Sequence, residues 1–198
     1  RYHNIMFALV ESGSITKYLN GNKGIQIGDL KYPRAIYTLW TEAERNAIGI
    51  YTIVYDDTNK KDEEWYINTN QSYAFANSTV TATYGTATAK AHADANFTEE
   101  DEDNGLGTEG ELKSRGLKYH LIQAVKQQAA VELANTDWYI TRNAEESTAV
   151  PSAITTHRRL VRSRQATMET SITNASDTPA LETLYTYTTD SDGVTSRP

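Results

Sequence analysis

The first half of the chain alternates. Short runs rich in β-branched and aromatic residues, apolar at every second position, are separated by Gly and Asn, the pattern of half-buried strands. It predicts strands over residues 4–11, 15–19, 24–27, 51–56, 64–68 and 72–76, with turns at Asn20-Gly21-Asn22 and Gly28-Asp29. One helix interrupts them. Thr41-Glu42-Ala43-Glu44 has the form of a capping box, in which Thr41 bonds the backbone three residues on and Glu44 reaches back. Gly49 supplies the left-handed stop. At about two turns, this helix depends on packing rather than propensity, and Trp40 just before it is the expected anchor.

From residue 78 to 95 the alternation persists without apolar bulk. Thr alternates with Ala and Gly, which favours an extended chain but offers little to bury, so this tract reads as an edge strand or an extended arm. It runs into Glu99-Glu100-Asp101-Glu102-Asp103, too charged to pack and expected to be the main domain boundary.

Beyond it the period becomes helical. Leu117, Leu121, Val125, Ala129 and Leu133 recur every fourth residue, with Ile122 beside them, and Gly116 weakens the first turn. A second helix starts after Pro151-Ser152, with Ile154, Val161, Met168 and Ala175 at spacing seven and Leu160 and Ile172 alongside. Pro179 is expected to close it, and a short apolar turn over 180–185 follows. The expected architecture is therefore α+β: a small β-rich N-terminal module over 1–95, an acidic linker over 96–108, a C-terminal antiparallel helical hairpin over 109–185, and a polar tail over 186–198. Segments 78–107 and 186–198 lack the apolar content to order themselves and are expected to need neighbouring chains.

Composition tightens this picture. Apolar residues make up 38% of the 198 and mean hydropathy is −0.61, so the core is thin or completed by partners. Tyr outnumbers Phe 13 to 3, which favours half-buried sheet faces and interfaces. The net charge of −7 argues against nucleic acid as a partner. There is no Cys, which excludes disulfides and thiolate metal sites. No apolar run approaches the roughly 20 residues of a membrane span. The opening apolar stretch reads as a strand, not a signal peptide.

Candidate chemistry adds little. His3, His92, His120 and His157 show no ligand spacing, and no metal or other cofactor is expected. Asp101, Asp103 and Gly105 imitate part of a calcium loop, but Leu112 stands where a bidentate Glu is required. Nucleophile elbows and phosphate loops are absent, so the chain reads as a non-enzyme. Two features stand out. Arg158, Arg159, Arg162 and Arg164 crowd one helix beside His157, as a solvated face paired with acids such as Glu132 or Glu145, or as a docking face for an acidic partner. Thr136-Asp137-Trp138-Tyr139-Ile140-Thr141-Arg142 precedes Pro151, and Trp138 is expected to pack across the hairpin against Pro151 and Ile154.

Leu133, Thr136, Asp137, Trp138, Arg142, Glu145, Pro151, Arg158 and Arg162 together resemble the C-terminal module of phage tail-fibre assembly and tail assembly-chaperone-like proteins. Tyr32-Pro33, the stretch from Trp40 to Arg45 and Ile48-Gly49-Ile50 resemble the β-rich part of related tail proteins. The resemblance implies a structural tail component, at the fibre or baseplate, made in the bacterial host cytoplasm and retained in the virion. Its partners would be other tail proteins and further copies of itself, in multiples of three. Trp138, Asp137, Arg142, Pro151, Arg158, Arg159 and Arg162 are then the expected interface or hairpin-closing residues. The alternatives are a transient assembly chaperone and, from the Tyr and Trp content, a carbohydrate-binding adhesin using Trp40 or Trp65.

Overall fold

The computed structural model describes residues 6–196. The first residues of the expected opening strand, His3 and the last two residues of the tail lie outside that range. The chain is mixed α+β, β-rich in its N-terminal half and helical in its C-terminal half, and it divides into two units at Thr88/Ala89. The division therefore falls inside the Thr/Ala tract, not at the acidic run.

In the first unit, β1 (Phe7–Glu11), β2 (Ser14–Leu19), β3 (Ile25–Ile27), β4 (Leu30–Tyr32), α1 (Ile36–Leu39), α2 (Glu42–Ala47), β5 (Ile50–Asp56), β6 (Tyr66–Ile67), β7 (Ser72–Ala76) and β8 (Thr79–Thr83) follow in order. Five of the strands form one sheet in the order β2-β1-β5-β8-β7, antiparallel except for the β5–β8 pair. β1 is covered on both faces. Phe7 and Leu9 pack with Ile25, Ile36, Tyr37 and Ile50, while Ala8 and Val10 pack with Ile53, Val80 and Ala82. Tyr51, Tyr55, Tyr73 and Phe75 line the second cluster half-buried, the placement the Tyr bias favours. Tyr18 on β2 and Tyr73 on β7 meet at 4.8 Å between ring centroids, so the sheet curls until its two edges touch.

The capping box of α2 forms as expected: Glu44 N–H donates to Thr41 Oγ1, and Thr41 N–H donates to the Glu44 carboxylate at 2.7 Å. Gly49 has φ +83°, and a Cβ there would stand 2.6 Å from the Val10 carbonyl oxygen. Trp40 packs on the Phe7–Ile36 cluster and meets Tyr32 edge-on.

β8 corrects the expectation of an edge strand or arm. It is an interior strand between β5 and β7, with Val80 and Ala82 fully buried. Small side chains suit it because Tyr73 and Phe75 crowd the same face from β7.

The second unit carries β10 (Ala95–Asn96), α3 (Glu99–Asp103), β11 (Leu112–Ser114), α4 (Leu117–Ala134), α5 (Asp137–Glu146), α6 (Ser152–Asn174), α7 (Thr178–Tyr185), β12 (Thr188–Thr189) and β13 (Thr195–Ser196); β9 (Thr88–Ala89) sits at the division. The expected linker is folded. Thr98 and Asp101 form a second capping box, and Asp101 accepts from Lys113 Nζ at 2.7 Å, tying α3 to β11. Local capping plus one ion pair thus orders a stretch that hydropathy marks as solvent. Residues 112–114, expected to be helical, pair with β10 instead. Gly116 is the N-cap of α4 rather than a weak helical turn: a Cβ there would fall 2.3 Å from the Ala93 backbone, and its N–H donates to Asp94 at 2.8 Å.

α4 and α6 pack side by side. Lys118 donates to the Thr173 carbonyl, Lys126 lies 4.0 Å from Glu169, Glu132 meets His157 at 3.1 Å, and Leu133 meets Arg158, so residue numbers rise along one helix as they fall along the other. The expected α4 stripe faces this contact, with Val125 and Ala129 buried. On α6, Ile172 is buried as expected but Leu160 is 45% exposed, because the seam runs through Arg158 and Gln165 rather than Leu160. Pro179 opens α7 instead of closing α6: it sits in the first turn, where its missing N–H costs nothing, and Asp177 caps the Ala180 N–H at 2.8 Å. The tail, expected to need a partner, folds back as the β12–β13 hairpin, with Asp190 Oδ1 accepting from the Asp192 and Val194 N–H groups.

Candidate interaction site

The residues of interest gather where α4 ends, α5 begins and α6 passes. The last carbonyls of α4 have no helical partner. That of Leu133 accepts from Thr136 N at 3.0 Å, Thr136 Oγ1 at 3.0 Å and Arg158 Nη1 at 2.9 Å. Arg158 also donates to Thr136 Oγ1 at 2.6 Å and pairs through Nη2 with Asp137 Oδ1 at 2.8 Å. Its position is favourable twice over, since a cation belongs at the C-terminus of α4 and Asp137 belongs at the N-terminus of α5. Arg158 is only 6% exposed. The expectation that it forms part of a solvated or docking cationic face is therefore corrected: its guanidinium is consumed by the Leu133–Asp137 corner.

Trp138 does not close the loop against Pro151 and Ile154. It is 51% exposed, one residue beyond the Arg158 contact, and Ile140 is 45% exposed. The Trp138 and Tyr139 rings lie 3.8 Å apart at 31°, and the Arg142 guanidinium stands 4.8 Å from Trp138 and 5.6 Å from Tyr139. The reason is α5 itself. Residues 137–146 form ten residues of helix, ended by Ser147 in the left-handed region, and helical spacing turns Trp138 outward. Pro151 is exposed and serves as the N-cap of α6.

Arg159 and Arg162 are exposed on α6, and Arg162 borders a shallow groove with Gln165, Ala166 and Glu169. Glu132 meets His157 rather than an Arg. Among the described residues, no group of three or more His, Asp or Glu side chains could hold a metal. No helix there is long and apolar enough to cross a membrane. The two Trp side chains considered as glycan platforms are covered: Trp65 is 3% exposed and Trp40 is half-buried.

Two carboxyl groups before the opposite end of α4 are perturbed. Lys113, followed by the Thr98 backbone, holds Asp101 below the ordinary carboxylate range. The Gly116 N–H, followed by Arg115 at 2.6 Å, does the same to Asp94. Both are structural clasps on the segment leading into α4.

Sequence reasoning found Thr136, Asp137, Trp138 and Arg158 as a group but not the hydrogen bonds that join them. The signal for Arg158 was its spacing, which sets it on the Ile154–Val161–Met168 side of α6, away from Arg159 and Arg162; Arg164 shares that side, so spacing alone does not single Arg158 out. In comparisons with protein-family models, curated proteins and solved structures, nothing matches this chain.

Proposed function

We propose that the chain is a non-enzymatic structural component of a phage tail, at the fibre or baseplate attachment, acting through protein–protein contacts of its helical unit. The observation that carries this reading is the α4–α5–α6 corner. Of the residues that resemble tail-fibre assembly proteins, Arg158 holds Leu133, Thr136 and Asp137 together, while Trp138 stands exposed beside them, as does Ile140, with Arg142 half-buried against the Trp138 ring. Half-exposed Trp with adjacent Tyr and Arg is the composition of interface hot spots. We read α4 and α6 as the arms of an antiparallel hairpin and α5 as a cap across its closed end. The partners are other tail proteins and further copies of the chain.

Quantitative mass spectrometry of purified particles tests this. The chain should be present in a copy number that is a multiple of three, and W138A should lower its incorporation without lowering its thermal stability. Absence from finished particles would overturn the structural role. If it then raised the soluble yield of a co-expressed fibre protein, the chain would be a transient assembly chaperone.

A further inference from the structure

Along one side of the α4–α6 pair runs a groove of about 290 Å³. Its floor is apolar, made by Val125, Ala129, Val161 and Met168. Leu160 borders it from α6 at 45% exposure. Val131, three residues after the groove residue Gln128 and 57% exposed, lies on the flank of α4 outside the groove lining. The Leu133–Arg158 contact fixes the level of these two: two residues back on α4 and two forward on α6 bring Val131 to the level of Leu160.

The charges on the rim are arranged about that level. Glu132 and His157 mark one end, three residues of α6 from Leu160, about 4.5 Å of helix rise. Arg164 marks the other, four residues away, about 6 Å. Arg164 has no ion-pair partner among the described residues. A two-fold axis through the Leu160–Val131 level exchanges the two ends. It turns the Glu132 end of each copy toward the Arg164 end of the other and brings the two exposed Leu160 side chains together at the centre, with Val131 on the flank. A two-fold contact requires this kind of self-complementarity, in which the same patch serves both partners.

We infer that this groove is the contact between two copies of the chain, whose helix pairs close into a four-helix bundle with Leu160 at the axis and reciprocal Glu132–Arg164 pairs. A two-fold pair is compatible with six copies per particle, but it does not depend on the tail role.

The full chain has no Cys, so a single introduced thiol reports geometry cleanly. L160C should form a disulfide-linked dimer under mild oxidation, and R159C, on another side of α6, should not. In sedimentation equilibrium the wild type should be a dimer. E132R and R164E should each weaken it by about tenfold or more, and the E132R/R164E double variant should recover most of the loss. Circular dichroism checks that each variant stays helical, and if one does not, cross-linking of L160C against R159C decides. A monomeric wild type, a trimer as the smallest assembly, equal cross-linking of the two thiol variants, or no recovery in the double variant would each overturn the pairing. So would a monomer that fills the groove only with another protein's helix.

Discussion

Arg158 donates two hydrogen bonds and makes one ion pair from a position where burial removes most of its water. Hydrogen bonds to a charged group contribute about 1.5–3 kcal/mol each, but Asp137 is 61% exposed and its share is screened. R158A should therefore lower unfolding free energy by about 2–4 kcal/mol in urea titration. R158K should recover less than half of that, because an ammonium is a point charge and cannot span Leu133, Thr136 and Asp137 at once. The contrast is Arg142, half-buried, whose guanidinium lies over the Trp138 and Tyr139 rings. R142A should cost no more than about 1 kcal/mol. Equal effects of R158A and R142A would contradict the assignment of Arg158 as the tie and Arg142 as a ring contact only. The sequence showed both as arginines in a basic or aromatic context. Only the backbone carbonyl at Leu133, which every residue possesses and no pattern marks, distinguishes them.

Elements were legible where hydrophobic period or capping chemistry dominates. The bounds of β7, the capping box of α2 and the buried stripe of α4 follow from alternation, Thr-x-x-Glu and four-residue spacing. They were not legible where tertiary packing overrides composition. β8 takes an interior place because the large rings of Tyr73 and Phe75 need small neighbours, which makes an unremarkable Thr/Ala tract a core strand. The acidic run is held by Asp101, whose partner Lys113 lies twelve residues on and carries no local signal. That clasp has a pH signature. A carboxyl held below its ordinary range stabilises the fold above the unfolded pKa of about 3.9, and the contribution disappears as pH falls through the lower folded value. Asp94 acts in the same direction. Thermal midpoints should be insensitive to these groups from neutrality to about pH 5 and should fall below about pH 4. D101N should be less stable than wild type at pH 7, with the gap narrowing in acid. A gap that stays constant or widens in acid would show that Asp101 is not stabilised as its carboxylate.

At the scale of the molecule, the proposed association belongs to one of the two units. The sheet unit covers β1 on both faces with its own residues. In the other unit Leu160 and Val131 on the long helices and Trp138 and Ile140 on α5 are exposed, and the proposed association acts through that unit. Association that involves only the helical unit should then stabilise only that unit, because a partner bound to the folded state raises its midpoint with concentration. The signals can be separated. Trp40 and Trp65 lie in the sheet unit and Trp138 in the helical one, so W138F leaves a fluorescence report of the sheet alone, while ellipticity at the helical band reports chiefly on α4 and α6. The helical midpoint should climb with protein concentration and the fluorescence midpoint should not. L160D should flatten the helical dependence at unchanged fluorescence midpoint, since Leu160 is already half in solvent and its replacement opens no cavity. If both midpoints rose together, the copies would be joined through the sheet as well, and the helical pair would not be the sole assembling surface.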